Sequence, residues 1–269
     1  MIASAHHPTP SVQEQPKEMV VSATKLNTWL GCSLRYYFRY VLHLKKPKSA
    51  ALHVGSIVHS VLERMNKARW RKEVLTNEQL QGLFEKLWID EQNDEKVQWQ
   101  PDEEPEEKTG AWKLLETYFS QSPVPLSEKI EGVEVSAEAN LSAHGLPNLM
   151  GVIDLVRSGG RIVDYKTVGQ TQKDEKFLHA NQVQLSIYSL LYRASTEKQE
   201  GGRELHQLVK LKTPKLIITS QGPMTDKEQT RLFKQLESFQ SGIERKDFIP
   251  APSMNCMMCN FFNECRNWS

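Results

Sequence analysis

Two aspartates and a lysine are the residues in this chain best placed to do chemistry. They lie in Gly151-Val-Ile-Asp154-Leu-Val-Arg-Ser-Gly-Gly-Arg-Ile-Val-Asp164-Tyr-Lys166-Thr. Two apolar runs around Ser158-Gly159-Gly160 read as a β-hairpin. A three-residue loop at 158–160 sets Arg157 opposite Arg161, and so Asp154 opposite Asp164. Side chains alternate along a strand, so Asp164 and Lys166 share a face and Tyr165 points away. A two-residue loop at Gly159-Gly160 would slip the register and part the aspartates. The longer loop, or a bulge, is expected because it gives the charges a common purpose. Two adjacent carboxylates repel unless something positive sits between them. Lys166 supplies part of that charge, and a divalent cation, which prefers carboxylate oxygen, supplies the rest. An exposed Asp-x-Lys ion pair would be worth little. Here each aspartate follows a Val-Ile or Ile-Val pair in a buried-looking strand, where an unpaired charge is costly.

The elements that must position these groups follow from periodicity. Residues 22–43 read as a helix capped by Ser22 or Thr24, with Leu26, Trp29, Leu30, Leu34, Tyr37 and Val41 at helical spacing. Within it, Arg35-Tyr-Tyr-Phe-Arg39-Tyr interleaves cations and aromatics, which suits either nucleic-acid stacking or core packing. A second helix over 51–70 places Gly55 and His59 one turn apart, the glycine letting another segment approach the imidazole. Helices are expected at 77–95 and 111–120, with an acidic spacer loop at 101–108 between them. A strand near 131–142 carries Glu134 and Glu138. After the hairpin comes a helix over 180–195 with Gln184 and Tyr188 on one face. A charged break follows at 197–203. One or two strands then run over 207–219, interrupted at Pro214, and a polar-faced helix spans 225–243.

Length bounds the chain to one large domain or two small ones. With 34 Lys+Arg against 33 Asp+Glu, bulk charge announces no nucleic-acid partner, so any basic groove must be local. No apolar run approaches a membrane span. The N-terminus lacks a secretory h-region and reads as a disordered tail, so a cytoplasmic protein is expected. Disulfides are rare there. The spacing Cys256-x2-Cys259-x5-Cys265, with Cys32 far upstream, then points to metal, and four thiolates suit zinc and an iron–sulfur cluster equally well.

The ordered set resembles the RecB-type branch of the PD-(D/E)xK nuclease superfamily. Its nearest look is to iron–sulfur members, the AddB-like nuclease domains and CRISPR-associated exonucleases. The motifs are the Cys32 helix, Gly55-x3-His59, Gly151-Val-Ile-Asp154, Val163-Asp164-Tyr-Lys166-Thr, Gln184-x3-Tyr188 and the cysteine tail. The resemblance implies an α/β restriction-endonuclease-like core, a mixed central sheet flanked by helices. It implies a tail over 1–20 and one nuclease domain over 21–269. That domain divides into a helical part at about 22–125, a catalytic core at about 126–222 and a cluster-binding segment at about 223–269. It implies that His59, Asp154, Asp164 and the Tyr165 carbonyl bind catalytic Mg²⁺ or Mn²⁺. Lys166 would orient or activate the attacking water, and Gln184 and Tyr188 would contact the DNA strand or steady the site. Cys32, Cys256, Cys259 and Cys265 would hold a 4Fe–4S cluster, with zinc as the alternative. An upstream glutamate is expected, Glu138 before Glu134. The signature proline is absent, and Cys32-Ser33 stands where the family often has Cys-Pro. No Walker motif occurs, so a stand-alone nuclease rather than a helicase–nuclease is expected, and the resemblance implies an exonuclease acting on DNA. Partners in repair, recombination or CRISPR adaptation are compatible. The competing expectation is a DNA-binding or assembly module with a degenerate site.

Overall fold

The computed structural model describes residues 19–94 and 96–268. The tail expected over 1–20 lies outside them except for Met19 and Val20. The chain opens with β1 (Val20–Val21), α1 (Ala23–Gly31), α2 (Ser33–Tyr36) and a π-helical turn (Tyr37–Val41). β2 (Lys48–Ser49), α3 (Ala50–Trp70), α4 (Asn77–Asp94), β3 (Val97–Gln98) and α5 (Glu103–Gln121) follow. The central strands are β4 (Gly132–Ala139), β5 (Asn148–Arg157) and β6 (Arg161–Val168). Then come α6 (Asp174–Ala180), α7 (Gln182–Thr196), β7 (Gly202–Val209), β8 (Lys215–Gln221), α8 (Asp226–Arg245) and α9 (Phe262–Arg266).

The main sheet is mixed. β5 pairs antiparallel with β4 along most of its length and with β6 only at its last residues, while β6–β7 is parallel and β7–β8 antiparallel. β1 pairs with β5 only at Asn148 and Leu149. On that edge β5 is therefore bonded at 148–149 and again at 155–157, and between them β5 and β6 part like a fork. The hairpin loop is the three-residue one: Arg157 faces Arg161 and Leu155 faces Val163, one step short of the two aspartates.

Helices cover both faces, as their apolar stripes require. On one face Leu26 of α1, Ile187 and Leu191 of α7, and Leu232, Leu236 and Phe239 of α8 pack on Leu149, Ile153 and Ile162. On the other, Ile57, Val58 and Leu62 of α3, Phe84 and Trp88 of α4, and Leu114 and Leu115 of α5 pack on Leu155, Val163 and Tyr165. No described helix is long and apolar enough to cross a membrane.

Three expectations need correction, and one open alternative closes. The helix at 22–43, capped by Ser22, breaks at Cys32, which is extended. The break turns the backbone outward, so that Leu34 N–H and the Ser33 hydroxyl bond Ile249 of the C-terminal segment. Its aromatics pack rather than face solvent: Tyr36 lies edge-on to Trp29 and Phe239, and Tyr37 stacks on Phe248. The acidic spacer is helix from Glu103. Three acids in the first turn favour the N-terminal dipole, and Glu104 accepts bonds from Trp88 and Gln92. Finally, β7 starts at Gly202, inside the supposed charged break, because Arg203 and Glu204 are buried in ion pairs.

Candidate active site

The fork places Asp154, at the end of the unpaired stretch of β5, beside Asp164 and Tyr165 of β6. Tyr165 N–H donates to Asp154 Oδ2 at 2.9 Å. From the α3 face His59 reaches into the same gap. Its Nε2 lies 2.8 Å from the Tyr165 carbonyl oxygen and its Nδ1 3.4 Å from Asp154 Oδ2. Gly55, one turn earlier, lets this helix sit down on the sheet: a Cβ there would meet Thr167 Oγ1 at 3.1 Å. The close neighbour is a β6 side chain, not the expected route past the imidazole itself.

From the α7 face Gln184 closes the other side. Its Nε2 donates to Asp164 Oδ1 and to the Tyr188 hydroxyl, both at 2.8 Å, and its Oε1 accepts from Lys166 Nζ at 2.8 Å. Lys166 Nζ also stands 2.7 Å from Asp164 Oδ2. The sequence-derived residues His59, Asp154, Asp164, Tyr165, Lys166, Gln184 and Tyr188 thus meet at one gap, approached from both sheet faces rather than from one. Gln184 and Tyr188 are brought to Asp164, while His59 is brought to Asp154.

Electrostatics follow from burial. The Asp154 carboxyl is raised above its ordinary range by desolvation and then by the charge of Asp164; His59 and the Tyr165 N–H oppose this. Desolvation, then Asp164 and Asp154, push the Tyr188 phenol well up, so it stays protonated. Glu134, not Glu138, is the upstream acid at the site. Register sets it across from Asp154, in a left-handed conformation at φ 50°. Its carboxyl is pushed up to about 7 by burial, then by Asp154 and Glu63. Glu138 lies opposite the exposed Met150 and is itself exposed.

These groups suit a hard cation. Asp164 Oδ2 is buried and, though close to Lys166, lies outside hydrogen-bond geometry. Ligands in cis positions around an octahedral Mg²⁺ at about 2.1 Å stand about 3.0 Å apart, close to the 2.8 Å between His59 Nε2 and the Tyr165 carbonyl oxygen. Among the described residues, no three His, Cys, Asp or Glu side chains already form a closed metal site. Asp164 is turned to Lys166 and Gln184 instead of toward His59.

The four cysteines are all free thiols and line one cavity of about 70 Å³ with Leu34, Phe38 and Phe261. The Cys265 thiol is raised by burial and by Cys32, Cys259 and Cys256 around it. Ser253 N–H points at Cys256 Sγ at 3.4 Å. The break at Cys32 and the bonds to Ile249 bring this thiol to the far end of the chain. Four sulfurs in an apolar hollow suit a tetrahedral sulfur-ligated centre, although they are not gathered into a closed shell.

Comparison with known proteins agrees with this geometry. The family model of the PD-(D/E)XK nuclease superfamily matches residues 20–266, and the chain belongs to that superfamily. Its fold is similar to a crystal structure from Eubacterium rectale described as "Putative exonuclease". The TM-score is 0.58 at 16% identity, over 92% of this chain and 87% of that one. The crystal structure of SSO0001 aligns with a TM-score of 0.43 at 14% identity, over 94% and 89% of the two chains, too loosely to argue from. A search of curated proteins finds no significant match.

Proposed function

We propose that this chain is a metal-dependent deoxyribonuclease of the RecB type that removes nucleotides from DNA ends and carries a 4Fe–4S cluster. The observation that carries the nuclease reading is the meeting of Asp154, Asp164, His59 and the Tyr165 carbonyl at the fork, with Lys166 on Asp164. Those four groups would hold Mg²⁺ or Mn²⁺, with Glu134 beside them. Such an ion supplies Lewis acidity, making water a better nucleophile and offsetting charge on the phosphate. Lys166 sets a fixed positive charge where the transition state becomes most negative, and its hydrogens can orient the attacking water. Gln184 holds Lys166 and Asp164 in one plane of hydrogen bonds, and Tyr188 braces Gln184. The described exonuclease of similar fold supports attack at ends. Cys32, Cys256, Cys259 and Cys265 would ligate the cluster, joining the first helix to the last segment.

Digestion of 5′- and 3′-end-labelled single- and double-stranded DNA with Mn²⁺ tests the reading. Wild type is expected to release label progressively, and Asp164→Ala to lose nearly all activity. Lys166→Ala is expected to slow the reaction by about 3 kcal/mol of transition-state stabilisation while leaving metal binding largely intact. Undigested DNA with every substrate, or an Asp164→Ala protein as active as wild type, would overturn it.

A further inference from the structure

Behind the site runs a chain of buried polar groups that the proposed chemistry does not touch. Tyr165 offers its backbone N–H to Asp154 and its carbonyl to His59, while its ring points through the sheet to the α3–α5 face. There Asn66 Nδ2 of α3 donates to the Tyr165 hydroxyl at 3.0 Å. The Tyr118 ring of α5 stands edge-on to the Tyr165 ring, and so does the His206 ring of β7, each with centroids 5.8 Å away. Tyr118 lies 3.1 Å from His206 Nδ1, and His206 Nε2 lies 3.2 Å from Glu204 Oε2, both on β7. Arg157 and Arg161 close the far end on Glu204 at 2.7 and 3.2 Å. Asn66, Tyr118, Tyr165, Glu204 and His206 are each at most 5% exposed.

One arrangement of protons satisfies every link. The His206 Nε2–H goes to the Glu204 carboxylate, which leaves Nδ1 of a neutral ring to accept the Tyr118 proton, while Asn66 holds the Tyr165 hydroxyl. Burial holds His206 neutral, as that order requires. A chain with a single satisfied direction is stiff, because each bond polarises the next and an unpaired member would be costly.

We propose that Tyr118 and His206 are positioning residues for the nuclease reaction. They pin the Tyr165 ring, so that its carbonyl and N–H, which share one peptide strand with the ring's Cα, stay aimed at the cation site and at Asp154. The proposal rests on the nuclease reading above. It assigns a role in the reaction to two residues that touch neither metal nor substrate. Partners standing behind metal ligands in this way typically change metal affinity 10–100-fold when removed.

Tyr118→Phe and Tyr165→Phe keep the rings and delete one hydroxyl each. For each, three quantities are read: the Mn²⁺ concentration at half-maximal cleavage, the KM for DNA, and the rise in melting temperature on adding Mn²⁺. Each variant is expected to need about tenfold more Mn²⁺, to show a smaller Mn²⁺-dependent rise in melting temperature, and to keep KM for DNA within about twofold of wild type. A merely structural role would lower the melting temperature without Mn²⁺ and leave the Mn²⁺ requirement unchanged, and that result overturns the proposal. If Tyr118→Phe does not fold, Tyr165→Phe, which frees the same ring from Asn66, decides alone. A wild-type protein that neither cleaves nor responds to Mn²⁺ would instead defeat the nuclease reading, and this inference with it.

Discussion

Asp154 and Glu134 are acids held back from ionising by burial first, and then by the charge of Asp164 on the former and of Asp154 on the latter. A cation entering the gap must displace their protons, so its affinity is coupled to pH. Glu134 binds its proton up to about pH 7, so Mn²⁺ is expected to bind more tightly at pH 8 than at pH 6. Calorimetric titration at the two pH values checks this, and equal affinities would contradict it. Much of this site is legible in sequence. The spacing of Asp154, Asp164 and Lys166 about a three-residue turn fixes their register, because strand side chains alternate with a period of two. Glu134 is not, since its place depends on a left-handed twist of β4 that a non-glycine residue does not announce.

At the scale of elements, the hairpin is anchored where its loop meets α7. Gly160 has φ 69°, and a Cβ there would stand 2.3 Å from the Tyr192 hydroxyl. Gly160→Ala therefore combines backbone strain with overpacking, and is expected to lower stability by about 2 kcal/mol in urea denaturation. A neutral result would mean that the loop repacks freely. β7 is the element least legible in sequence, because its start at Gly202 and Arg203 falls in a stretch that reads as a charged break, and Glu204 and His206 beyond it are polar. They are tolerated inside only because each is paired. Burial alone would raise the Glu204 carboxyl, but His206 and Arg157 bring it down to about 2. A depressed carboxyl stabilises above its unfolded pKa of about 4.3 and stops doing so as pH falls through the folded value. Glu204→Gln is expected to cost about 3 kcal/mol at pH 7, leaving Arg157 short of a partner. The gap from wild type should narrow between pH 4 and pH 2. A difference that stays constant across that range would contradict the pairing.

Across the described residues, the cysteine cavity is where the first helices meet the C-terminal segment. Ser33 and Leu34 bond Ile249, and Lys46 pairs with Glu264 at 2.5 Å. A centre bound by all four thiols would close a loop spanning most of the chain, so its removal should loosen both ends together. Anaerobically purified protein is expected to be coloured and to hold iron and sulfide. Cys32→Ser is expected to lose them and to become protease-sensitive at both termini. Colourless protein with stoichiometric zinc would replace the cluster by zinc, and Cys32→Ser with unchanged metal content would remove Cys32 from the ligand set. The cysteine spacing points in sequence to a thiolate centre, but not to the break of the first helix at Cys32 that brings this thiol to the tail. That break depends on a partner 216 residues away, with which Ser33 exchanges two hydrogen bonds. The flanking helices α3, α4, α7 and α8 were readable from their stripes, whereas the start of α5 was hidden by acids that suit a helix N-terminus as well as a loop.

In the proposed reaction one cation would gather groups from a split sheet and from a helix packed on it. Diffraction from crystals soaked in Mn²⁺, recorded at the manganese edge, looks at this directly. The predicted result is an anomalous peak in the fork, within bonding distance of Asp154, Asp164, His59 Nε2 and the Tyr165 carbonyl. A soaked crystal with no peak there, or with manganese bound only elsewhere, would contradict it.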